Sequence, residues 1–305
     1  MFGHIRSIIS ILLVVGIIGG SYWYYAFQYR AEVEPETNRK VTNTDSVYTM
    51  EQYLKTLKRN QTVYKYACDE AEVDNDYGTY VVPGLKSTRT LKVKGDGEAE
   101  VCTSMTPQGL AFTEDYILVS AYCKTKAHDS VIYVIDKESR RFVKEIVLNT
   151  KAHVGGMAYD TMNQILWVTG QGSTWAQANA ITLSHLENYS FDDGYHPIEF
   201  DMSYNLYKIK RASFMTYHDG ALFVGFFTQD NASVIEKYLI NADGTLYEKE
   251  DMNLKRTVGV TEPVAYAVSM QVISGKVQGM AFFNNKILLT RSWGILPSEV
   301  QIFNY

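Results

Sequence analysis

Only three of the 305 residues are cysteine, six are proline, and no Cys-x-x-Cys pair occurs. A disulfide-dense scaffold, a zinc ribbon and a thioredoxin-type redox motif therefore have no basis. Basic charge is scarce too. Lys and Arg number 29 against 34 Asp and Glu, a net charge of −5, so the cationic excess that phosphate-backbone binding requires is missing. No nucleic-acid partner is expected. Charged residues make up 21% of the chain and hydrophobic ones 46%, which excludes wholesale disorder and supplies a sizeable core. What is abundant is tyrosine, at 23 residues. Aromatic side chains suit strands, and the composition leans to an all-β extracellular protein.

Long apolar runs are absent with one exception. From Ile8 to Phe27 the chain carries no charge, and at a helical rise that length crosses a hydrocarbon core of ~30 Å. Arg6 precedes the run, and Tyr22, Trp23, Tyr24, Tyr25 and Phe27 close it with rings suited to the headgroup interface. The layout predicts a single-pass signal anchor in the plasma membrane, with residues 1–30 forming a cytoplasmic tip and a transmembrane helix, and residues 8–27 in contact with the bilayer. The C-terminal domain would then be extracellular. Residues 31–75 read as a polar linker leading into one short amphipathic stalk helix, where Val47, Met50, Leu54 and Leu57 recur at helical spacing.

Residues 76–305 carry an internal repeat. Gly109-Leu-Ala-Phe112, Gly156-Met-Ala-Tyr159, Phe214-Met-Thr-Tyr217 and Gly279-Met-Ala-Phe282 are each followed, across turn-forming residues, by a second apolar run beginning at Tyr116, Gln164, Ala221 or Lys286. Each pair predicts a β-hairpin. Further strands are expected from Ser130, Phe142, Ala180, Ile198, Ser233 and Thr245 onward, and a last one from Glu299. Tandem units of roughly 40–65 residues with up to four antiparallel strands predict an all-β fold, a β-propeller with four to five blades. The final unit is one strand short, so a strand at Tyr80 or Thr88 is expected to complete it and close the ring. Residues 76–105 would supply any partial fifth blade.

On Pro107 to Phe112 with Ser130 to Asp136, and His153 to Asp160 with Gln164 to Gly170, the chain resembles a group of membrane-anchored surface propeller proteins of low-GC Gram-positive bacteria. A second resemblance is to plant-type glutaminyl cyclases, whose repeats also open on a Gln-Gly-Leu element. This chain has His153-Val-Gly-Gly where that family carries a glutamate.

The innermost strand of each blade lines the propeller axis, so equivalent repeat positions form rings about one mouth. Three residues before the repeat element stand Thr106, His153, Arg211 and Lys276; one residue before it stand Gln108, Gly155, Ser213 and Gln278. Gln108, His153, Arg211, Ser213, Lys276 and Gln278 are therefore the expected ligand-binding residues, suited to an anionic group through charge-assisted hydrogen bonds. Arg291 either joins them or pairs with Glu299. No catalytic residue, cofactor or metal site is assigned, because no nucleophile elbow occurs and no two histidines share one helical face. Cys102 is expected to pair with Cys123 or with Cys68. The function expected is a binding or scaffold module for a polar or anionic cell-envelope ligand, peptide or partner protein. The alternative is a propeller enzyme (lyase, hydrolase or glutaminyl-cyclase-like) with its site at the axial mouth.

Overall fold

Alternating apolar residues punctuated by tight turns build a fan of antiparallel sheets. The computed structural model describes residues 87–93, 95, 97–248, 262–294 and 298–305, together with isolated positions before 87. The apolar run 8–27, except Ser21, lies outside the described residues, as does the stalk helix except at Lys55, Lys58 and Arg59. Among the described residues no helix is long and apolar enough to cross a membrane.

Two short strands, β1 (Thr88–Leu91) and β2 (Ala99–Cys102), form a hairpin. The first blade is β3 (Met105–Phe112), β4 (Tyr116–Cys123), β5 (Val131–Asp136) and β6 (Phe142–Val147). The second is β7 (Met157–Asp160), β8 (Ile165–Gln171), β9 (Ala176–Thr182) and β10 (Met202–Leu206). The third opens with β11 (Phe214–His218), β12 (Ala221–Gly225) and β13 (Ala232–Leu239). A two-residue strand, β14 (Val264–Ala265), then runs parallel to β10, and β15 (Ser269–Ser274) completes the third blade. The fourth is β16 (Val277–Phe283), β17 (Lys286–Arg291) and β18 (Glu299–Asn304). The innermost strands pack in the order β3, β7, β11, β16, which is a four-blade propeller-like arrangement.

The turns explain the sharpness of the hairpins. His218 pairs with Ala221 across Asp219 (φ 48°) and Gly220 (φ 68°), and Phe283 pairs with Lys286 across Asn284 (φ 46°) and Asn285 (φ 57°). Two consecutive left-handed residues form a type I′ turn, whose twist matches that of the flanking strands. Blades then bury their faces against one another. Trp167, Ala178, Ala180 and Tyr204 of the second blade meet Met215, Leu222, Val224 and Tyr238 of the third. Phe214, Phe223 and Ile235 of the third meet Val277 and Leu289 of the fourth.

The repeat itself has a steric cause. In the first, second and fourth blades the inner-strand glycine lies beside a hydroxyl residue of the next strand. A Cβ on Gly109 would lie 2.8 Å from Ser120 Oγ, on Gly156 2.5 Å from Thr169 Cγ2, and on Gly279 2.8 Å from Thr290 Oγ1. The hydroxyls are used: Gly109 and Gly156 donate their N–H groups to Ser120 and Thr169 at 2.8 and 2.9 Å. The third blade inverts the pair. Phe214 stands at the glycine position and pairs with Gly225, whose missing side chain leaves room for the phenyl ring.

Several expectations are corrected. The run from Ala180 is strand only to Thr182, whose side chain accepts from the His185 N–H and caps a six-residue helix, α1 (Leu183–Asn188). Ile198 makes an isolated bridge with Leu148, and the fourth strand of the second blade starts at Met202. The segment from Thr245 contributes isolated bridges at Leu246 and Glu248, and β15 takes the outer position of the third blade. Thr88 does not complete the last blade, because β1 pairs with β2 and Thr88 bonds Tyr133 of β5. Tyr80 lies outside the described residues. Among the described residues the fourth blade thus has three strands with β18 outermost, and no packing comparable to that of the other neighbours joins β16 to β3. Phe283, Val300 and Ile302 on the fourth blade and Leu110 and Phe112 on the first remain exposed.

The β1–β2 hairpin is fastened to the first blade by charge as well as by packing. Arg89 donates to Glu145 of β6 at 3.2 Å and to Asp192 at 2.7 Å, and Glu145 is buried. Burial raises the Glu145 pKa above its ordinary value while Arg89 pulls it back. Arg89→Met leaves that carboxylate without its guanidinium, and the expected loss is ~3 kcal/mol. Urea unfolding measures it. Glu145→Leu in the same chain should recover most of the loss, and strict additivity of the two changes would show that no such pair operates.

Candidate functional site

A cavity of about 880 Å³ opens where the inner strands of the first three blades converge. Its wall combines strand and loop residues: Pro107 and Gln108 from β3, Lys126 from the β4–β5 loop, and Thr150 to Gly155 from the segment entering the second blade. Thr169 to Gln171, then Arg211 to Ser213, Phe227 and Gln278 complete it. Of the expected binding residues, Gln108, His153, Arg211, Ser213 and Gln278 come together here. Lys276 and Arg291 do not line this cavity. Arg291 donates to Gly275 O at 2.8 Å and pairs with Glu299 at 3.0 Å, and Lys276 takes a left-handed φ of 66° in the β15–β16 turn, its N–H donating to Thr228 O. Lys126 and Lys151 also line the wall, and the repeat comparison missed them. Lys151 was within reach, two residues before His153; Lys126 sits in a loop outside the repeated element.

The backbone makes the wall narrow. A Cβ on Gly109 would come within 2.8 Å of Gly155 O, and one on Gly155 within 2.5 Å of Ser213 O, so successive blades touch main chain to main chain. Ser120 Oγ donates to Val154 O at 2.6 Å and links the first two blades beneath the cavity. Val154 holds φ at 44°, a left-handed conformation that a β-branched residue rarely takes, and it is buried. Such strain persists where surrounding contacts over-determine it, and it fixes the His153-Val154-Gly155 corner.

Charge in the cavity is one-sided among the described residues. Lys126, Lys151 and Arg211 line it with His153, and no Asp or Glu is among the described lining residues. His153 stacks on Tyr122, ring centroids 3.9 Å apart at 16°. Burial lowers the His153 pKa from its ordinary value, and repulsion from Lys126 and Arg211 lowers it further. Gln108 donates to Pro107 O at 2.9 Å, and Gln278 donates to Ser292 O and Oγ, each at 3.1 Å. Each amide thus spends a donor on the protein, while the cations and the Ser213 hydroxyl are groups suited to an anion. A second recess of about 650 Å³ shares Arg211 and Phe227 but carries Asp230 and Glu236 beside Lys208 and Lys210, so it lacks the same single sign.

A separate cluster lies where the β1–β2 hairpin meets the first blade. The expected Cys102–Cys123 disulfide is not formed: both are buried free thiols, and Cys68 lies outside the described residues. Their sulfurs and a ring nitrogen of His128 all fall within 4.8 Å of one another.

No protein-family model matches the chain, and no curated protein matches it. Among solved structures it is similar to Kuenenia stuttgartiensis hydrazine synthase (13% identity, 68% of this chain and 53% of that one, TM-score 0.39) and to Myxococcus xanthus glutaminyl cyclase (12%, 68% and 77%, 0.38). It is also similar to a structure titled U3-55K (11%, 71% and 64%, 0.40). The chain spans about half the length of the hydrazine synthase chain. Each likeness has a TM-score of 0.40 or less.

Proposed function

We propose that the chain is a membrane-anchored extracellular propeller whose axial cavity binds an anionic ligand of the cell envelope. The observation that carries this reading is the cavity's single sign of charge: two lysines, an arginine and a histidine line one space without a carboxylate among its described lining residues. A cavity of this volume suits a ligand of a few sugar or peptide units. The anchor reading rests on the uncharged run 8–27 and its aromatic border. A propeller enzyme would need a carboxylate or a partnered histidine beside the reacting atoms. His153 stacks on an aromatic ring beside cations, which favours binding over acid–base chemistry.

The His153 pKa gives the test its sign. In the free protein His153 holds its proton less tightly than in the unfolded chain, so the fold loses stability as pH falls through the ordinary histidine range. An anion beside Lys126 and Arg211 offsets their repulsion, so binding takes up a proton and strengthens as pH falls. Calorimetry with trigalacturonate and a trimeric glycerol phosphodiester, whose charges stay constant from pH 7.5 to 5.5, should show affinity rising by ~3- to 10-fold over that range. A neutral galactose trimer should bind at least ~10-fold more weakly than either anion. Equal binding of neutral and anionic trimers would remove the reading.

A further inference from the structure

Cys102 ends β2, Cys123 ends β4, and His128 stands in the loop before β5. Three separate pieces of chain thus bring two thiols and an imidazole within 4.8 Å of one another. His128 Nδ1 lies 3.4 Å from Cys123 Sγ. Two atoms bound to one tetrahedral zinc, at Zn–S of ~2.3 Å and Zn–N of ~2.0–2.1 Å, stand about 3.6 Å apart. The other ring nitrogen, Nε2, faces Glu100 Oε2 at 3.1 Å, and Glu100 Oε1 accepts from Lys92 Nζ at 2.8 Å. A carboxylate behind a histidine in this way fixes the ring and directs the opposite nitrogen at an ion. The Ser104 hydroxyl lies 3.8 Å from Cys102 Sγ and 3.7 Å from Cys123 Sγ, close to the edge length of the same tetrahedron.

We propose that Cys102, Cys123 and His128 form a tetrahedral Zn²⁺ site, with an oxygen from Ser104 or from a water it holds as the fourth ligand. Zn²⁺ replaces the two thiol protons, which pass to solvent, and no electron is transferred. Two sulfurs with one imidazole select a soft or borderline d¹⁰ ion over Mg²⁺ or Ca²⁺. The ion would pin the β1–β2 hairpin to the first blade at the Thr88–Cys102 pair, one register step from Arg89. Glu100 is a positioning residue, since it reaches the ion only through His128. The signal escaped a sequence reading because the ligands have neither Cys-x-x-Cys nor helical spacing: Cys102 and Cys123 belong to different sheets, and only folding brings them together.

The test uses the full chain with Cys68→Ser, reduced and stripped with a chelator, so that two thiols remain. Titration with Co²⁺ should give one equivalent bound, with sulfur-to-cobalt charge-transfer absorption in the near ultraviolet and visible bands of tetrahedral type. Zn²⁺ should displace it. Cys102→Ser and Cys123→Ser should each reduce the charge-transfer absorption by about half or abolish it, and His128→Ala should shift the visible bands. Glu100→Gln should keep the band positions while weakening affinity 10- to 100-fold, which a merely structural change would not do. A reduced chain that is folded by circular dichroism yet takes up no Co²⁺ overturns the proposal, whether or not the oxidised chain carries a Cys102–Cys123 disulfide. Octahedral bands without sulfur absorption overturn it as well.

Discussion

Gly225→Thr is expected to destabilise the protein by ~3 kcal/mol, the upper range for overpacking a closed core. A Cβ at Gly225 would overlap the Cζ end of the Phe214 ring, and neither residue has room to yield because Phe214 is buried against Val277 and Leu289. Phe214→Gly alone removes a buried ring, at a cost of ~4 kcal/mol. Made together, the two changes give the third blade the glycine-plus-threonine pair already present at Gly156 with Thr169 and at Gly279 with Thr290. The double variant should therefore be more stable than the sum of the single losses allows, by at least ~1.5 kcal/mol. Urea unfolding followed by tryptophan fluorescence reports this, since Trp167 is fully buried. Strict additivity would mean that the inverted pair is a coincidence of sequence.

Arg211→Ala is expected to weaken binding of the anionic trimers by ~10- to 100-fold, the loss of one charge-assisted hydrogen bond of ~1.5–3 kcal/mol. Adding Lys126→Ala should take the loss beyond ~100-fold, because both cations line the same cavity and also depress the His153 pKa together. Lys276→Ala and Arg291→Ala serve as matched comparisons. Each removes one positive charge, yet neither residue lines this cavity, and Arg291 is already paired with Glu299. Affinity should change by less than about twofold for either. Calorimetry at two salt concentrations separates contact from general attraction. If Lys276→Ala weakened binding as much as Arg211→Ala, the ring of repeat-equivalent positions would be the better guide and the cavity the wrong one.

The inner hairpins were readable because their causes are local. Asp219-Gly220 and Asn284-Asn285 specify a turn, and the apolar residues around them specify which face is buried. Outer strands were harder to place. The segment from Thr245 has strand-like residues, but β15 holds the position beside β13, a competition between distant segments that no local pattern records. Thr182 caps α1 without the Glu or Gln three residues on that would mark a capping box, and the apolar run from Ala180 matches a strand equally well. Five of the seven expected binding residues lie around one cavity because repeat equivalence carries over to the axis. Lys276 and Arg291 fall outside it because, among the described residues, the fourth blade contributes Gln278 alone to that wall. Of the two segments expected to fill the open strand position of the last blade, the one from Thr88 has a nearer partner in β2, and Tyr80 lies outside the described residues.

The touching main chains of Gly109, Gly155 and Ser213 have a consequence for how specificity at the axis would change. Peptide groups rather than rotatable side chains set the spacing at that point. Exchanging one residue for another alters the rim's polarity far more readily than its bore. A new preference for a bulkier guest would have to come from the rim loops carrying Lys126 and Arg211, or from shifting whole sheets, while the floor stays an inflexible gauge.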